Sequence, residues 1–282
     1  MSQAKKDDQL IKKLQYSQLQ LLKELDRVCR KLNLTYIMAF GSCLGTVRHR
    51  GFIPWDDDID VYMRVEELEI LHANADKVSE GFFLQHHGSD PEYGLMISRL
   101  RNSNTTLIEK SEEDRDINHG IFIDIYPLFN VPVNRFAFNR LVFDSMLYRL
   151  LLYGSVPHNR GTIMRIGSFV LLKILSSKRK KQILEKCYQK MKSVPHSGLL
   201  SSLYGDESRI RYREESFFPV QFLPFVDMMV PIEANYDEYL MITYGDYMKL
   251  PPIEKRVFHH NYECIDFEHS YENYRNKAYC RK

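Results

Sequence analysis

The 282-residue sequence lacks the features that mark a secreted, zinc-binding or membrane-spanning protein. Its five cysteines are scattered and form no CxxC or CxH pair, so the sequence indicates no zinc site. The first residues contain no apolar core of signal-peptide length, so we expect a reducing, cytoplasmic location. No apolar run approaches the roughly 18 residues that span a bilayer, so we expect no transmembrane anchor.

Strong net charge is also missing. The net charge is +2, and the hydrophobic fraction of 44% and charged fraction of 27% are typical of globular proteins. Such a charge gives no reason to expect nucleic acid as a partner. The length suits one large domain, or a catalytic core with a helical annex.

Hydrophobic periodicity predicts an α+β core over about residues 34–130, with boundary errors of about 2–4 residues. The predicted elements are an amphipathic helix over 7–32, a strand Thr35–Phe40, a short helix Ser42–Arg50, a strand Ile59–Met63, a helix Glu66–Ser79, a hairpin of Ser98–Arg101 and Thr105–Glu109, and a strand Gly120–Tyr126 that Pro127 ends.

The character of the sequence changes after residue 135. Residues 136–200 are apolar and basic with helical period, and they include the basic run Lys178–Lys181. Residues 216–282 are rich in proline, tyrosine and phenylalanine. We therefore predict a helical insertion, followed by a C-terminal segment that packs back on the core.

Aspartates are concentrated in two of these elements. If the segment around Asp56 is extended, Asp56, Asp58 and Asp60 share one face of the strand and Asp57 lies on the other. In the strand GIFIDIY, Asp124 stands opposite the face that carries the isoleucines. A carboxylate among apolar neighbours is costly without a partner. The pattern therefore predicts that several carboxylates converge.

A bound cation is the simple way to relieve repulsion between converging carboxylates. Oxygen ligands alone favour Mg²⁺ or Mn²⁺, which complete their shells with water and substrate phosphate. The turn Gly41-Ser42 precedes a helix, and backbone N–H groups at a helix start suit a phosphate. Arg48 and its basic neighbours add positive charge. These residues together indicate a metal-dependent enzyme that handles a nucleotide-linked phosphate.

Two alternatives to this metal site deserve weight. A run of three aspartates is often a solvated turn. The acids also match an EF-hand at positions 1, 3, 5 and 12 when counted from Asp56, with Glu67 last. However, Val61 stands at position 6, where an EF-hand requires glycine, and Pro54-Trp55 does not resemble the end of an entering helix.

Longer stretches of sequence carry a family resemblance. They are FGSCLGTVRHRGFIPWDDDID at 40–60, GIFIDIYPL at 120–128, and YGDYMKLPP at 244–252 with Arg256 and His259 after it. The sequence resembles the LicD family of phosphotransferases, within the nucleotidyltransferase superfamily, from about residue 15 to 260. Ser42 replaces an expected threonine, and Asp227 stands near an expected glutamate, which leaves the role of Asp227 open.

The resemblance implies a fold and an activity. The fold is α+β, a nucleotidyltransferase-like mixed sheet core with flanking helices and a helical insertion, in a single domain over 1–282. The activity is transfer of phosphocholine, or a similar alcohol phosphate, from a CDP-linked donor to a sugar hydroxyl. The acceptor is a cell-surface glycan such as teichoic acid, lipopolysaccharide or capsule, free or lipid-linked, and eukaryotic relatives transfer ribitol phosphate. CDP-choline is the favoured donor.

The same resemblance suggests roles for the acids. Mg²⁺ (or Mn²⁺) is expected on Asp58, Asp60 and Asp124, with Asp56 as a further ligand or a neighbour of the ligands. Asp124 is also the candidate base for the acceptor hydroxyl. The DxD pair and the third aspartate together form the predicted catalytic group.

Donor contacts are expected from a second set of residues, each with a structural alternative. Ser42 is otherwise a helix N-cap, Arg48 an ion-pair partner of Asp56, and Trp55 a core residue. Arg99 and Arg101 face the same way on one strand and could bind phosphate, or they form a solvated edge; His259 is otherwise a structural histidine. The basic run Lys178–Lys181 is predicted either to rest on the inner face of an anionic membrane or to be a solvated helix face. The predicted donor-binding residues are Gly41, Ser42, Arg48, Trp55, Arg101 with its neighbour Arg99, and His259.

Two competing functions remain open from the sequence. A nucleotidyltransferase of the same fold would attack the α-phosphate of CTP and release pyrophosphate. A non-catalytic binding protein would keep the pocket without the reaction, although such a protein has no reason to keep clustered carboxylates.

Overall fold

The computed structural model of the protein describes residues 3–155, 162–256 and 261–281, and the side chains of residues 3–8, 162–164 and 206 are not described. The chain forms two compact units. The first comprises Met1–Glu92, Ile97–Pro127 and Glu215–Lys282, and the second comprises Tyr93–Met96 and Leu128–Glu214. The prediction of a single domain over 1–282 stays a prediction.

Helices and strands are both abundant, which confirms the predicted α+β class. In chain order the described residues form α1 (Gln3–Leu32), β1 (Tyr36–Met38), α2 (Phe40–His49), β2 (Asp60–Arg64), α3 (Val65–Ala73), β3 (Phe82–Gln85), β4 (Ser98–Asn102), β5 (Thr106–Glu109), β6 (Ile121–Asn130), α4 (Arg135–Tyr153), α5 (Thr162–Ile174), α6 (Ser177–Lys192), β7 (Leu199–Ser201), β8 (Tyr212–Arg213), α7 (Glu214–Phe217), β9 (Gln221–Phe225), β10 (Met228–Ile232), α8 (Tyr236–Tyr244) and β11 (Tyr262–Asp266).

The first unit is built on a sheet with the strand order β1-β2-β6-β4-β3. Strand β4 pairs antiparallel with both β3 and β6, and this register sets Arg99 opposite Asp124. The isoleucines Ile121, Ile123 and Ile125 on β6 are fully buried, as their alternation predicted. The antiparallel pairs β9–β10 and β5–β11 lie outside this sheet path.

Helix α1 packs an apolar stripe into the core of the first unit. Leu14, Leu21 and Leu25 recur at helical spacing and are buried almost completely. The helix ends where Asn33 takes a left-handed conformation, with φ of 54°, as expected for a helix stop. The predicted helix is therefore confirmed, with an earlier start at Gln3.

The predicted helical insertion, residues 136–200, lies within the second unit. Asn134 caps the N-terminus of helix α4, and its side chain accepts a hydrogen bond from the Ala137 N–H. Helices α4 and α6 pack together, and Lys190 of α6 contacts Asp144 of α4 at 2.8 Å. The end of β6 pairs with β7, which pairs with β8. None of the described helices is both long and apolar enough to cross a bilayer.

One predicted strand pairing and one predicted strand boundary are wrong. Strands β4 and β5 do not form a hairpin, because β4 pairs with β3 and β6 while β5 pairs with β11. Strand β6 continues through Pro127 to Asn130. Pro127 lies between the residues that pair with β4 and those that pair with β7, so its missing N–H interrupts neither ladder.

The predicted helix Glu66–Ser79 is also too long. Helix α3 ends at Ala73, and a short 3-10 turn, Ala75–Lys77, follows it. The side chain of Asn74 turns back to donate a hydrogen bond to the Ile70 carbonyl at 2.8 Å. This local bond competes with continuation of the helix, which is a common behaviour of asparagine.

Candidate active site

Three consecutive aspartates meet in a loop before β2. Asp56, Asp57 and Asp58 each offer a carboxylate oxygen that lies within 4.8 Å of the other two. The condition of an extended strand through Asp56 is not met, because β2, predicted as Ile59–Met63, begins at Asp60. Gln15 and Gln18 of α1 donate to the backbone carbonyls of Asp56 and Asp57, at 2.9 and 2.8 Å. These bonds hold the segment as a loop, so Asp57 is not separated from its neighbours by alternation.

Asp57 is fixed in place by β11. Its side chain is fully buried, and its Oδ2 accepts a hydrogen bond from the Tyr262 hydroxyl at 2.7 Å. Burial, and then the charge of Asp57, raise the pKa of Tyr262 well above its ordinary value. The tyrosine therefore stays a hydrogen-bond donor. Sequence reasoning missed this pair, because nothing distinguishes Tyr262 among the 18 tyrosines.

Asp60 is a buried charge that its neighbours oppose. Its side chain is only 8% exposed, and within the described residues its Oδ1 accepts no hydrogen bond. Burial raises its pKa well above the ordinary value, and the charges of Asp58, Asp124 and Asp56 raise it further. The structure therefore brings these four predicted carboxylates into one electrostatic environment.

Asp124 carries a built-in counter-ion. The Arg99 Nε donates to Asp124 Oδ1 at 2.7 Å, and both side chains are almost fully buried. The guanidinium also contacts Glu109 at 2.8 Å and Glu112 at 3.0 Å, and it lies over the Phe122 ring. Arg99 thus belongs to the carboxylate network, whereas the sequence suggested that it faces phosphate.

Arg101 requires a correction. Its side chain has no exposed surface, and it donates to Gln85 Oε1 at 2.5 Å and to the Gly120 carbonyl at 2.8 Å. It also contacts Glu112 at 3.5 Å. A donor cannot reach this guanidinium in the structure, so Arg101 is a structural residue of the network. The alternation of side chains along a strand correctly predicted that Arg99 and Arg101 share one face. It could not predict that both side chains are buried.

Helix α2 supports the acidic residues from the other side. The Asp60 N–H donates to Ser42 Oγ at 2.9 Å, so Ser42 anchors the start of β2. Ser42 is not the N-cap of α2, because that position is Ala39. A Cβ on Gly41 would lie 2.6 Å from Asp56 Oδ2, so only glycine leaves room for that carboxylate. Phosphate contacts from Gly41 and Ser42 stay predictions.

A pair of arginines lies on the C-terminal side of α2. Arg48 donates to the Tyr247 carbonyl at 2.6 Å, and Arg256 lies over the Trp55 ring at 5.0 Å. Burial lowers the pKa of Arg48, and the positive charge of Arg256 lowers it further. His49 meets the edge of the Trp55 ring, with ring centroids 6.3 Å apart. Two cations that repel each other favour an anion between or beside them.

Two further residues from the sequence analysis, His259 and Asp227, are not part of the arrangement described above. His259 is outside the described residues, so its donor contact stays a prediction. Asp227 is exposed and pairs with Lys23 at 2.6 Å, where both side chains are accessible to solvent. An exposed pair of this kind contributes little to stability.

Comparisons with known proteins find similarity over the segment that contains these residues. Residues 33–145 match a family model described as "LicD/FKTN/FKRP, nucleotidyltransferase domain". The chain is 26% identical over 261 residues to a Haemophilus influenzae protein named lipopolysaccharide cholinephosphotransferase LicD. That match covers 86% of this chain and 92% of the relative. The family-matched residues include Gly41, Ser42 and all four predicted carboxylates.

Shorter matches involve proteins without a named activity. An uncharacterised protein of Rickettsia typhi is 33% identical over 69 residues, which is 24% of this chain and 22% of that protein. An uncharacterised protein of Rickettsia prowazekii is 40% identical over 52 residues, which is 18% and 20% of the two chains. These matches add similarity but no information about activity.

Asp60→Asn is expected to stabilise the metal-free protein at neutral and alkaline pH. The folded-state pKa of Asp60 is raised, so the wild type loses stability as pH rises from the ordinary aspartate value through the folded pKa. The amide carries no charge and avoids this loss. Thermal midpoints measured in chelator from pH 4 to pH 8 (about the range over which such groups titrate) should diverge in favour of the variant as pH rises.

The matched control for this prediction is Asp227→Asn at an exposed position. The thermal midpoint of this variant should differ from that of the wild type only by a small amount that is the same at every pH. A midpoint difference between Asp60→Asn and the wild type that stays constant or shrinks with rising pH would contradict the proposed charge repulsion.

Proposed function

We propose that the protein is a cholinephosphotransferase, because residues 33–145 match the LicD family model. It transfers phosphocholine from CDP-choline to a sugar hydroxyl of lipopolysaccharide. The observation that carries the proposal is the group of buried carboxylates around Asp60, inside the family-matched segment. The relative that spans nearly the same length bears a name with this activity.

The acidic group fits a divalent cation. Asp60 offers a buried oxygen with no hydrogen bond among the described residues, and neighbouring carboxylates raise its pKa. Oxygen-only donors are typical of Mg²⁺ and Mn²⁺ sites. Asp58, Asp60 and Asp124 would hold the ion, with Asp56 as a further candidate. When bound, the ion supplies positive charge that offsets the negative charge on the donor diphosphate and on departing CMP.

The transfer itself requires one bond to form and one to break. The acceptor hydroxyl oxygen bonds to the phosphorus that bears choline, and the bond from that phosphorus to the bridging oxygen breaks to release CMP. The hydroxyl proton passes to Asp124, which acts as the base. Arg99, paired with Asp124 Oδ1 at 2.7 Å, orients this carboxylate.

The donor diphosphate is assigned to the arginine pair. Arg48 and Arg256 are close enough for one to lower the pKa of the other, and an anion relieves that repulsion. Trp55 already packs under Arg256 at 5.0 Å, so we assign it to holding this arginine rather than to a choline cage. Trp55 directly precedes Asp56, which connects the arginine pair to the acidic loop along the chain.

Several finer assignments belong to the same proposal. Other CDP-alcohols, Mn²⁺ instead of Mg²⁺, and a teichoic acid, capsule or lipid-linked glycan acceptor fit the same chemistry. A nucleotidyltransferase using CTP would need the same acids but would release pyrophosphate. A non-catalytic binding protein would bind the donor without forming a product.

Donor identity is tested by ligand-induced stabilisation. CDP-choline with Mg²⁺ should raise the thermal midpoint of the wild type. At 100 times its Kd the ligand should increase the free energy of unfolding by about 2.7 kcal/mol. CDP-ribitol and CTP should raise it less. Asp58→Ala should lose the Mg²⁺-dependent part, whereas Asp227→Asn should keep it. Phosphocholine transfer to lipopolysaccharide is then measured directly with choline-labelled donor.

The outcomes separate the three functions. Stabilisation by CTP alone, with release of pyrophosphate, would replace the proposal by a nucleotidyltransferase. Stabilisation by CDP-choline without labelled lipopolysaccharide or other glycan product would leave a binding protein. No stabilisation by any of these ligands with Mg²⁺ would contradict the proposed donor site.

Arg256→Met tests the donor-phosphate assignment. Methionine keeps an apolar contact with Trp55 but removes the charge, so the KM for CDP-choline should rise by about tenfold or more, as expected for a charge-assisted hydrogen bond worth about 1.5–3 kcal/mol. Steady-state kinetics with varied donor provide the measurement. Lys255→Met, at the neighbouring exposed residue, is the control and should leave KM unchanged. An equal effect of both variants would show that general charge, rather than Arg256, matters.

A further inference from the structure

Helix α5 of the second unit exposes four of its apolar side chains. Ile166 is 59% exposed, Phe169 49%, Val170 45% and Ile174 71%. They are separated by three, four and eight residues from the first, so they share one face of the helix. Among the described side chains of α5, the buried one is Ser168, at 3% exposure. This is the reverse of a helix that packs its apolar face into a core.

The chain segment that carries this apolar face is also basic. The sequence from Thr162 to Leu184, which covers α5 and the first half of α6, contains six basic residues and no acidic one. Lys173 lies over the Phe169 ring, with its Nζ 4.6 Å from the ring centroid. The exposed basic residues of this stretch are Arg165, Lys173, Lys178, Arg179 and Lys181.

The combination points to one kind of occupant. An apolar helix face in a chain segment that carries basic but no acidic residues complements a surface that is apolar within and negatively charged at its rim, which describes an anionic lipid bilayer. Helix α5 has 13 residues, about 20 Å at 1.5 Å per residue, so it is too short to cross a hydrocarbon layer of about 30 Å. Such a helix lies in the plane of the interface.

We propose that α5 and the start of α6 form a membrane-docking surface for anionic phospholipids. Ile166, Phe169, Val170 and Ile174 enter the boundary between head groups and acyl chains, while the basic side chains contact lipid phosphates. The apolar face supplements the predicted basic run Lys178–Lys181 in binding the membrane. Electrostatic attraction alone would give weaker attachment that salt abolishes. The inference is independent of the reaction that the first unit performs.

Vesicle co-sedimentation tests the proposal with the full chain. The wild type should sediment with vesicles of phosphatidylcholine mixed with phosphatidylglycerol, much less with phosphatidylcholine alone, and less at high salt. Phe169→Ser combined with Ile174→Ser should weaken binding by about tenfold or more, from the apolar area it removes. Lys178→Gln combined with Arg179→Gln and Lys181→Gln should weaken binding and remove much of the salt dependence.

The matched control lies in the first unit. Met241→Ser combined with Ile242→Ser changes two apolar side chains of α8 that are 52% and 50% exposed. This variant should bind vesicles like the wild type. All the substituted side chains are exposed, so thermal midpoints should stay close to that of the wild type, which separates lost binding from lost folding.

Three outcomes would overturn the proposal. The first is no sedimentation of the wild type with anionic vesicles. The second is equal loss of binding in the α8 control. The third is a dimer in solution that Phe169→Ser with Ile174→Ser converts to a monomer, measured by light scattering, because a second copy of the chain would then cover the face.

Discussion

Repulsion among buried carboxylates is the constraint on which this structure depends. Asp60 lies in a nearly closed position where burial and three neighbouring aspartates all oppose its charge. The positive charge of Arg99 acts in the other direction. An arrangement of this kind costs folding free energy unless a cation joins it. Buried acids that are costly by themselves and suited to a cation are characteristic of functional sites.

The fold of the first unit holds these acids in place from several directions. Helix α1 fixes the loop through the backbone carbonyls of Asp56 and Asp57, and α2 fixes the start of β2 through Ser42. Strand β4 places Arg99 against Asp124. Each of these bonds crosses between elements that are distant in sequence, so the charges cannot separate without disrupting the fold. A rigid supporting shell of this kind is what a catalytic group requires.

Much of this could be predicted from the sequence, because periodicity and local signals report directly on single elements. Helices α1 and α2, the buried face of β6 and the grouping of Asp58, Asp60 and Asp124 follow from such patterns. Strand partners do not, and the predicted hairpin was wrong because β4 and β5 join different neighbours. Tertiary hydrogen bonds hold the segment at Asp57 as a loop, and burial makes Arg101 a structural residue. Neither effect leaves a local signal in the sequence.

Binding of Mn²⁺, followed by electron paramagnetic resonance, tests the central claim most directly because it requires neither donor nor acceptor. Titration of the wild type should show saturable binding that Mg²⁺ displaces, and Asp60→Asn should weaken that binding strongly. Asp227→Asn should bind like the wild type. Equal affinity in the wild type and Asp60→Asn, or no saturable binding at all, would contradict the assignment of the Asp60 group as a cation site.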